Sequence, residues 1–189
     1  MASATYGEPL IAWRTWNLTA RGRRLRLAPV GDHRMAWPPR ERVRAVCARR
    51  RSHVAPDPTC TCGVHASKSV AALQRARGPV VLGTVALWGR VIEHELGYRA
   101  SFGYPQRLRL VCPICFWQRG AESDRPVTVS IERDGTATPF CASHASTAEA
   151  IGRGSGTAVS AAGVQAALLS EYVTDFFPDA HLAAEARPA

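Results

Sequence analysis

The chain has 189 residues, 46% of them hydrophobic, enough apolar surface for a folded core and too much for general disorder. No stretch reaches the ~18 consecutive apolar residues of a membrane span, and the start, "MASATYGEPLIAWRTW", lacks the features of a secretory signal, so a cytoplasmic protein without membrane contact is expected. The net charge is +9, and between Arg14 and Arg51 twelve arginines stand against two acids, Asp32 and Glu41, so that acidic partners, nucleic acid above all, come first.

In chain order, residues 9–18 ("PLIAWRTWNL") read as a strand. "TARGRR" supplies a glycine turn, and "LRLAPV" returns with Leu25 and Leu27 alternating. After Pro38-Pro39, Val43, Ala45 and Cys47 alternate with polar or charged neighbours. A cysteine- and proline-rich loop follows, and "SKSVAALQRA" predicts a short helix capped by Ser67 or Ser69. "PVVLGTVALWGRVIEHE" is too β-branched for a helix, and its glycines at 83 and 89 suit bulges in a curved sheet. "YRASFGYP" and "QRLRLVC" are the next two predicted strands. Asp134-Gly135 marks a hairpin over residues 126–140. "ASTAEAIG" starts a helix that soon meets Gly152. "TAVSAAGVQAALLSEYVTDFF" predicts a second helix, with Val164, Leu168, Tyr172 and Phe176 as its core-facing stripe.

The six cysteines bear on chemistry. In a reducing compartment clustered cysteines bind metal or react more often than they pair. Cys112-x2-Cys115 is followed, across the hairpin, by Cys141-x2-His144. Two intervening residues let a knuckle turn both sulfurs toward one ion, and the second pair falls at a helix start, where the peptide dipole favours thiolate. Four such ligands suit closed tetrahedral zinc. This order of knuckle, hairpin and helix resembles the treble-clef type of zinc finger. The resemblance implies Cys112, Cys115, Cys141 and His144 as the ligands, and it does not by itself imply an activity. The upstream cluster, "HVAPDPTCTCGVHA", offers a second site. Cys60 and Cys62 alternate on an extended chain, so a turn must bring them together, and Gly63 with the prolines makes one plausible. Cys47, His53, Cys60 and Cys62 are the preferred set, with His65 the competing fourth ligand. One or two Zn2+ ions are therefore expected.

Enzyme signatures fail in turn. "VIEHEL" lacks the spacing of a zinc deaminase, and Cys112 follows Val111 rather than proline. The same stretch lacks the second histidine of a zinc protease. No phosphate-cradling loop, nucleophile elbow or dinucleotide fingerprint is present, and "GRGSG" at 152–156 reads as a linker. Glu93, His94, Tyr98 and Arg99 lie either on a solvated strand face or around a small-molecule pocket. Trp13, Trp16, Trp37 and Trp88 read first as core, although one exposed beside the arginines could stack on a base.

These features predict an α+β fold: a small curved β-sheet or barrel with a zinc-clamped loop, a treble-clef-like finger and a C-terminal helix. Its expected parts are a β-rich region over 1–110 with a basic N-terminal half, a zinc-finger-like module over 111–152, and a helix with a loose tail over 153–189. The expected function is zinc-stabilised, non-enzymatic nucleic-acid binding, with Arg14, Arg21, Arg23, Arg24 and Arg26 on phosphates. A protein-interaction adaptor is the alternative. Lys68 is the only lysine of the chain against twenty-three arginines, a bias that GC-rich coding also produces, so a merely solvated basic face stays open.

Overall fold

The computed structural model describes residues 3–5, 8–22, 24–31, 35–49, 53–74, 78–150 and 156–176. Strand β1 (Ser3–Thr5) leads to β2 (Leu10–Arg21), β3 (Arg24–Pro29), β4 (Val43–Arg44) and β5 (Val64–Ser67). Two long strands, β6 (Val81–His94) and β7 (Gly97–Leu110), form the central hairpin. Helix α1 (Pro113–Arg119), the hairpin β8 (Thr128–Ile131) and β9 (Thr136–Phe140), and helix α2 (Ala142–Ala150) follow. Strand β10 (Thr157–Ser160), helix α3 (Ala161–Tyr172) and β11 (Asp175–Phe176) complete the described chain.

The sheet is mostly antiparallel and partly closes on itself. β2 pairs β6, β6 pairs β7, β7 pairs β5, and β5 returns to β2 through Trp13 and Ser67. The later hairpin joins the same sheet where Leu18 and Thr19 of β2 meet Ala137 and Thr136 of β9. Closure requires β6 and β7 to bend, and their register shifts at Thr84/Val85 and at Trp88/Val91. The two glycines of β6 sit at those bends. A Cβ at Gly83 would lie 1.9 Å from the Arg107 carbonyl oxygen, and Gly89, at φ +78°, lets the Phe102 ring come close.

The barrel interior holds Trp16, Leu18, Leu27, Val81, Val85, Leu87, Ala100 and Leu108, all but sealed from solvent. Helix α3 covers one end with Val164, Leu168 and Tyr172. That spacing is the four-residue stripe predicted for it; the side chain of Phe176 lies outside the described set. A second apolar cluster on the outside, Trp13, Leu82, Val111 and Phe116, fastens α1 to the barrel wall. Trp13, Trp16 and Trp37 are core residues, the latter two meeting edge to face at 5.5 Å.

Three elements differ from expectation. The helix predicted from Ser67 is a single 3-10 turn, Ala71–Leu73, because Ser67 is drawn into β5 and its hydroxyl donates to the Ser69 and Leu96 carbonyls. Residues 98–110 form one strand through Pro105 instead of two, since β6 pairs along β7, and Val111 and Cys112 lie beyond its end. Residues 157–160 are a strand paired with β8, so α3 starts only at Ala161, where the Ser160 hydroxyl accepts from Gly163 N.

Candidate metal centres

The described residues bring two Cys3His sets together: Cys47, His53, Cys60 and Cys62, and Cys112, Cys115, Cys141 and His144. Within each set the ligand atoms all lie within 4.8 Å of one another.

In the downstream centre Cys112 takes the N-cap position of α1, in extended conformation, and Pro113 opens the helix. The turn returns Phe116 N to the Cys112 carbonyl at 2.9 Å, which sets Cys115 on the same side. The β8–β9 hairpin then delivers Cys141 to the start of α2, where Ala145 N bonds the Cys141 carbonyl at 3.0 Å and His144 turns inward. His144 Nδ1 lies 3.6, 3.3 and 3.2 Å from the sulfurs of Cys112, Cys115 and Cys141, and Cys115 and Cys141 are 3.5 Å apart. A tetrahedral ion with sulfur at ~2.3 Å and nitrogen at ~2.0–2.1 Å needs S···S edges of about 3.8 Å and S···N edges of about 3.6 Å. The observed edges fit that figure after small contraction, and they are far too long for a disulfide, whose sulfurs sit at about 2.05 Å. Phe140, Ile114 and Ala145 pack around the sulfurs. Burial pushes the Cys141 thiol up to about 11, a penalty that a divalent cation offsets when it takes the thiolate. Arg119 donates to the Cys115 sulfur at 3.1 Å and is ion-paired with Asp124. Spacing alone did not reveal this Arg119–Asp124 pair; its signal is the placement of Arg119 four residues after Cys115, one helical turn on.

The upstream centre is built from a loop. The Asp57 carboxylate accepts from Thr59 N at 2.9 Å and from the Thr59 hydroxyl at 2.6 Å, and Cys60 N closes onto the Asp57 carbonyl at 3.1 Å. This turn folds Cys60 and Cys62 to one side in spite of their alternation. Cys47 and Cys60 place their sulfurs 3.8 Å apart, the tetrahedral edge, and His53 Nε2 lies 3.2 Å from Cys62 Sγ. His65, the competing ligand, turns its Nε2 to the Thr61 carbonyl at 2.8 Å and stays outside the set. Arg99 sits beneath the loop, almost fully buried, and donates to the carbonyls of Asp57, Cys60 and Cys62. Both sets can hold a metal ion such as zinc.

The four residues at the tip of the central hairpin divide between two faces. Glu93 pairs with Lys68 at 2.6 Å, and the Lys68 ammonium lies over the Tyr98 ring. His94 and Arg99 point the other way, where Arg99 is committed to the metal loop and burial lowers the His94 pKa. A cavity of about 310 Å³ opens elsewhere, between α3 and β7, lined by Arg125, Pro126, Ala162, Gln165 and Leu169 among others.

The arginines of the N-terminal block have unequal positions. The Arg14 guanidinium stacks 4.8 Å from the Trp37 ring centroid and donates to the His65 carbonyl, and burial lowers its pKa to about 10. Arg26 is held by Glu171 at 2.7 Å. Arg21 and Arg24 are exposed and face each other across the β2–β3 hairpin, and Arg23 lies outside the described residues.

A second basic surface is formed by residues far apart in the chain. Arg44 of β4, Phe102 of β7 and Trp88 of β6 are direct partners across three strands, hence on one face. The Trp88 and Phe102 rings stack at 6.0 Å and 25°, and the Arg42 guanidinium lies 4.7 Å from the Phe102 centroid. Both rings are half-buried, and Arg42, Arg44 and Arg90 are exposed beside them. Trp88 stands out in the sequence but this row does not, because the strand register that assembles it has no local signal. Compared with protein-family models, with curated proteins and with solved structures, the chain finds no match in any of the three.

Proposed function

We propose that the chain is a zinc-stapled, non-enzymatic protein that binds single-stranded nucleic acid across the face formed by β4, β7 and β6. The observation that carries this reading is the row Arg44–Phe102–Trp88 with Arg42 stacked upon it. Such a face joins the two features that single strands require: aromatic rings on which bases stack and guanidinium groups for the phosphates between them. Arg21 and Arg24 extend the positive field, while Arg14 and Arg26 serve the fold through their own partners. With four protein ligands apiece, zinc in either centre has no open coordination position for a substrate, so both centres act as staples. The downstream set, with its knuckle, hairpin and closing helix, is read as a treble-clef type finger.

The test is fluorescence anisotropy with a labelled single-stranded oligonucleotide at low and at physiological salt. Affinity is expected to fall steeply with salt, and the double substitution Arg42→Ala/Arg44→Ala should lower the slope by about 1.4. Trp88→Ala should weaken binding by about five- to a hundred-fold, since one stacked base contributes ~1–3 kcal/mol. Absence of binding at low salt, or a Trp88→Ala protein that binds as before, would sink the reading. A second reading, protein docking, draws on Trp117, which is 70% exposed on α1 next to the downstream centre. It requires a partner that survives nuclease treatment and is lost in Trp117→Ala.

A further inference from the structure

The two centres differ in access. Downstream, Cys112, Cys115 and Cys141 are sealed from solvent and only His144 is half-buried, whereas upstream only Cys47 is buried and His53, Cys60 and Cys62 are all half-buried. Solvent, protons and competing chelators therefore reach the upstream ligands first, and metal exchange is faster where ligands can be protonated and displaced one at a time.

The centres also differ in what they tie together. The upstream loop is fixed to β7, through Arg99 to the carbonyls of Asp57, Cys60 and Cys62, and through the Ser101 hydroxyl, which donates to the Ala55 carbonyl at 3.2 Å. The remaining ligand, Cys47, belongs to the other partner, because it lies three residues beyond Arg44. Strand β4 is only two residues long. Its pairing consists of Val43 with Gly103 and Arg44 with Phe102, continued by Ala45 N to the Ser101 carbonyl at 2.8 Å. Beside this ladder stand the packing of Val43 and Ala45 on the core edge and the bond from Arg40 N to the Tyr104 hydroxyl at 3.0 Å, a small set of contacts for a segment that carries the exposed Arg42 and Arg44. An ion shared by Cys47 and the loop is thus a cross-link that holds β4, with Arg42 and Arg44, against Phe102.

We infer that the upstream centre is the exchangeable one of the two, and that its metal switches the arginine–aromatic face on by holding β4 in place. Control of nucleic-acid binding in this way rests on the reading proposed above; the metal-held docking of β4 does not. Available zinc is then the regulating signal. With the ion bound, the arginines are preset over the rings. With it gone, the barrel and the downstream centre persist, and the arginines lose their fixed position.

The experiment uses the full chain loaded with two zinc ions, titrated with EDTA while released zinc is counted with a chromogenic chelator. Amide hydrogen exchange is followed at Ala45, at Val85 and Leu87 in the barrel, and at Phe116 and Ala145 by the downstream centre. Loss of the first equivalent is expected to speed exchange at Ala45 at least tenfold, with the other amides unchanged and full reversal on adding zinc. Oligonucleotide affinity should fall about tenfold over the same step. The double variant Cys60→Ser/Cys62→Ser should retain one zinc and reproduce this state without chelator. An unaltered Ala45 amide after the first equivalent leaves, or a first loss that exposes Phe116 and Ala145, overturns the inference. If the fully loaded protein binds no oligonucleotide, the nucleic-acid reading fails, and accelerated Ala45 exchange still establishes the metal-held strand.

Discussion

The Tyr172 hydroxyl donates to the Trp37 carbonyl at 2.8 Å and accepts from Leu27 N at 3.0 Å, so the last turn of α3 fastens β3 to the segment that follows it. All three residues are buried, so the N–H and the carbonyl depend on the phenol for their bonds. Tyr172→Phe keeps the ring and removes the oxygen, leaving a buried N–H and a buried carbonyl short of a partner. The expected loss is about 1–3 kcal/mol in denaturant unfolding at neutral pH.

The same phenol gives a signature in alkali. Burial raises its folded pKa to about 12, above the value near 10 in the unfolded chain. A raised acid contributes stability that is fully present below the unfolded pKa and is lost as pH rises through the folded one. The stability difference between wild type and Tyr172→Phe should therefore shrink by about 2–3 kcal/mol between pH ~10 and ~12. Arg14, whose pKa is lowered to about 10, works in the opposite sense over that range, but it is common to both proteins and cancels in the difference. Parallel curves for the two proteins would contradict the assignment.

Arg99 reaches three carbonyls of the upstream loop from a site that is nearly sealed. All three bonds run from one nitrogen, Nη1, which the planar guanidinium holds in a fixed position, whereas an ammonium is a point charge on a flexible stem. Both Arg99→Ala and Arg99→Lys should therefore weaken zinc at Cys47, His53, Cys60 and Cys62 by about 10–100-fold, the range seen when the supports of metal ligands are removed. Competition against a chelator of known affinity reads the two centres separately. The downstream centre should keep its affinity, and equal weakening of both would show a general loss of folding instead.

How far the sequence spoke depends on the range of the interaction behind each feature. The downstream ligands were legible because their two pairs are local, each set within one turn, with only the Asp134-Gly135 hairpin between them. The upstream set was harder, since Cys60 and Cys62 alternate until the Asp57–Thr59 turn folds them over. Residues 157–160 run without a break into the alanine-rich helix that follows, and only their pairing with β8 sets them apart as strand β10, in keeping with β-branched Thr157 and Val159. The arginine block shows the limit most plainly. Net charge located a basic region, but only the tertiary fold assigns Arg14 to Trp37 and Arg26 to Glu171 while leaving Arg42 and Arg44 on the open face. Trp88 and Phe102 lie on opposite arms of the central hairpin, and only their register, shifted by the bulge at Gly89, makes them neighbours.

Arg119 bears on the chemistry of the downstream sulfurs. A Cys3His set with a divalent ion carries one net negative charge, and the donor on Cys115 offsets part of it. Arg119→Ala should lower zinc affinity there by about 10–100-fold and make Cys115 more reactive toward alkylating agents, read as zinc release under iodoacetamide. Asp124→Asn should have a smaller effect in the same direction, because Asp124 orients the guanidinium while its own carboxylate, 3.8 Å from the Cys115 sulfur, adds negative charge there that the substitution removes. A variant lacking Arg119 whose sulfurs react no faster would show that packing by Phe140 and Ala145 is the whole of their protection.

Removal of both metals should dissect the molecule into two parts of different fate. Helices α1 and α2 span seven and nine residues, well short of the ~12–15 that an isolated helix needs in water. A metal ion held by Cys112, Cys115, Cys141 and His144 would tie their first turns together, aided on one side by Phe116 in the outer apolar cluster. The barrel strands, by contrast, are joined by long ladders, above all β2–β6 and β6–β7, around a core of their own. Excess chelator should therefore abolish the helical contribution of both segments in far-UV circular dichroism, while the fluorescence of buried Trp16 keeps its native position. Cys141→Ser should give the same spectrum at the downstream centre alone, since the buried thiol it replaces is the ligand that joins β9 to α2. Helices that persist without metal would mean that Phe116 and Phe140 hold the segment by packing, and the downstream cluster would then be an accessory to a fold that stands without it.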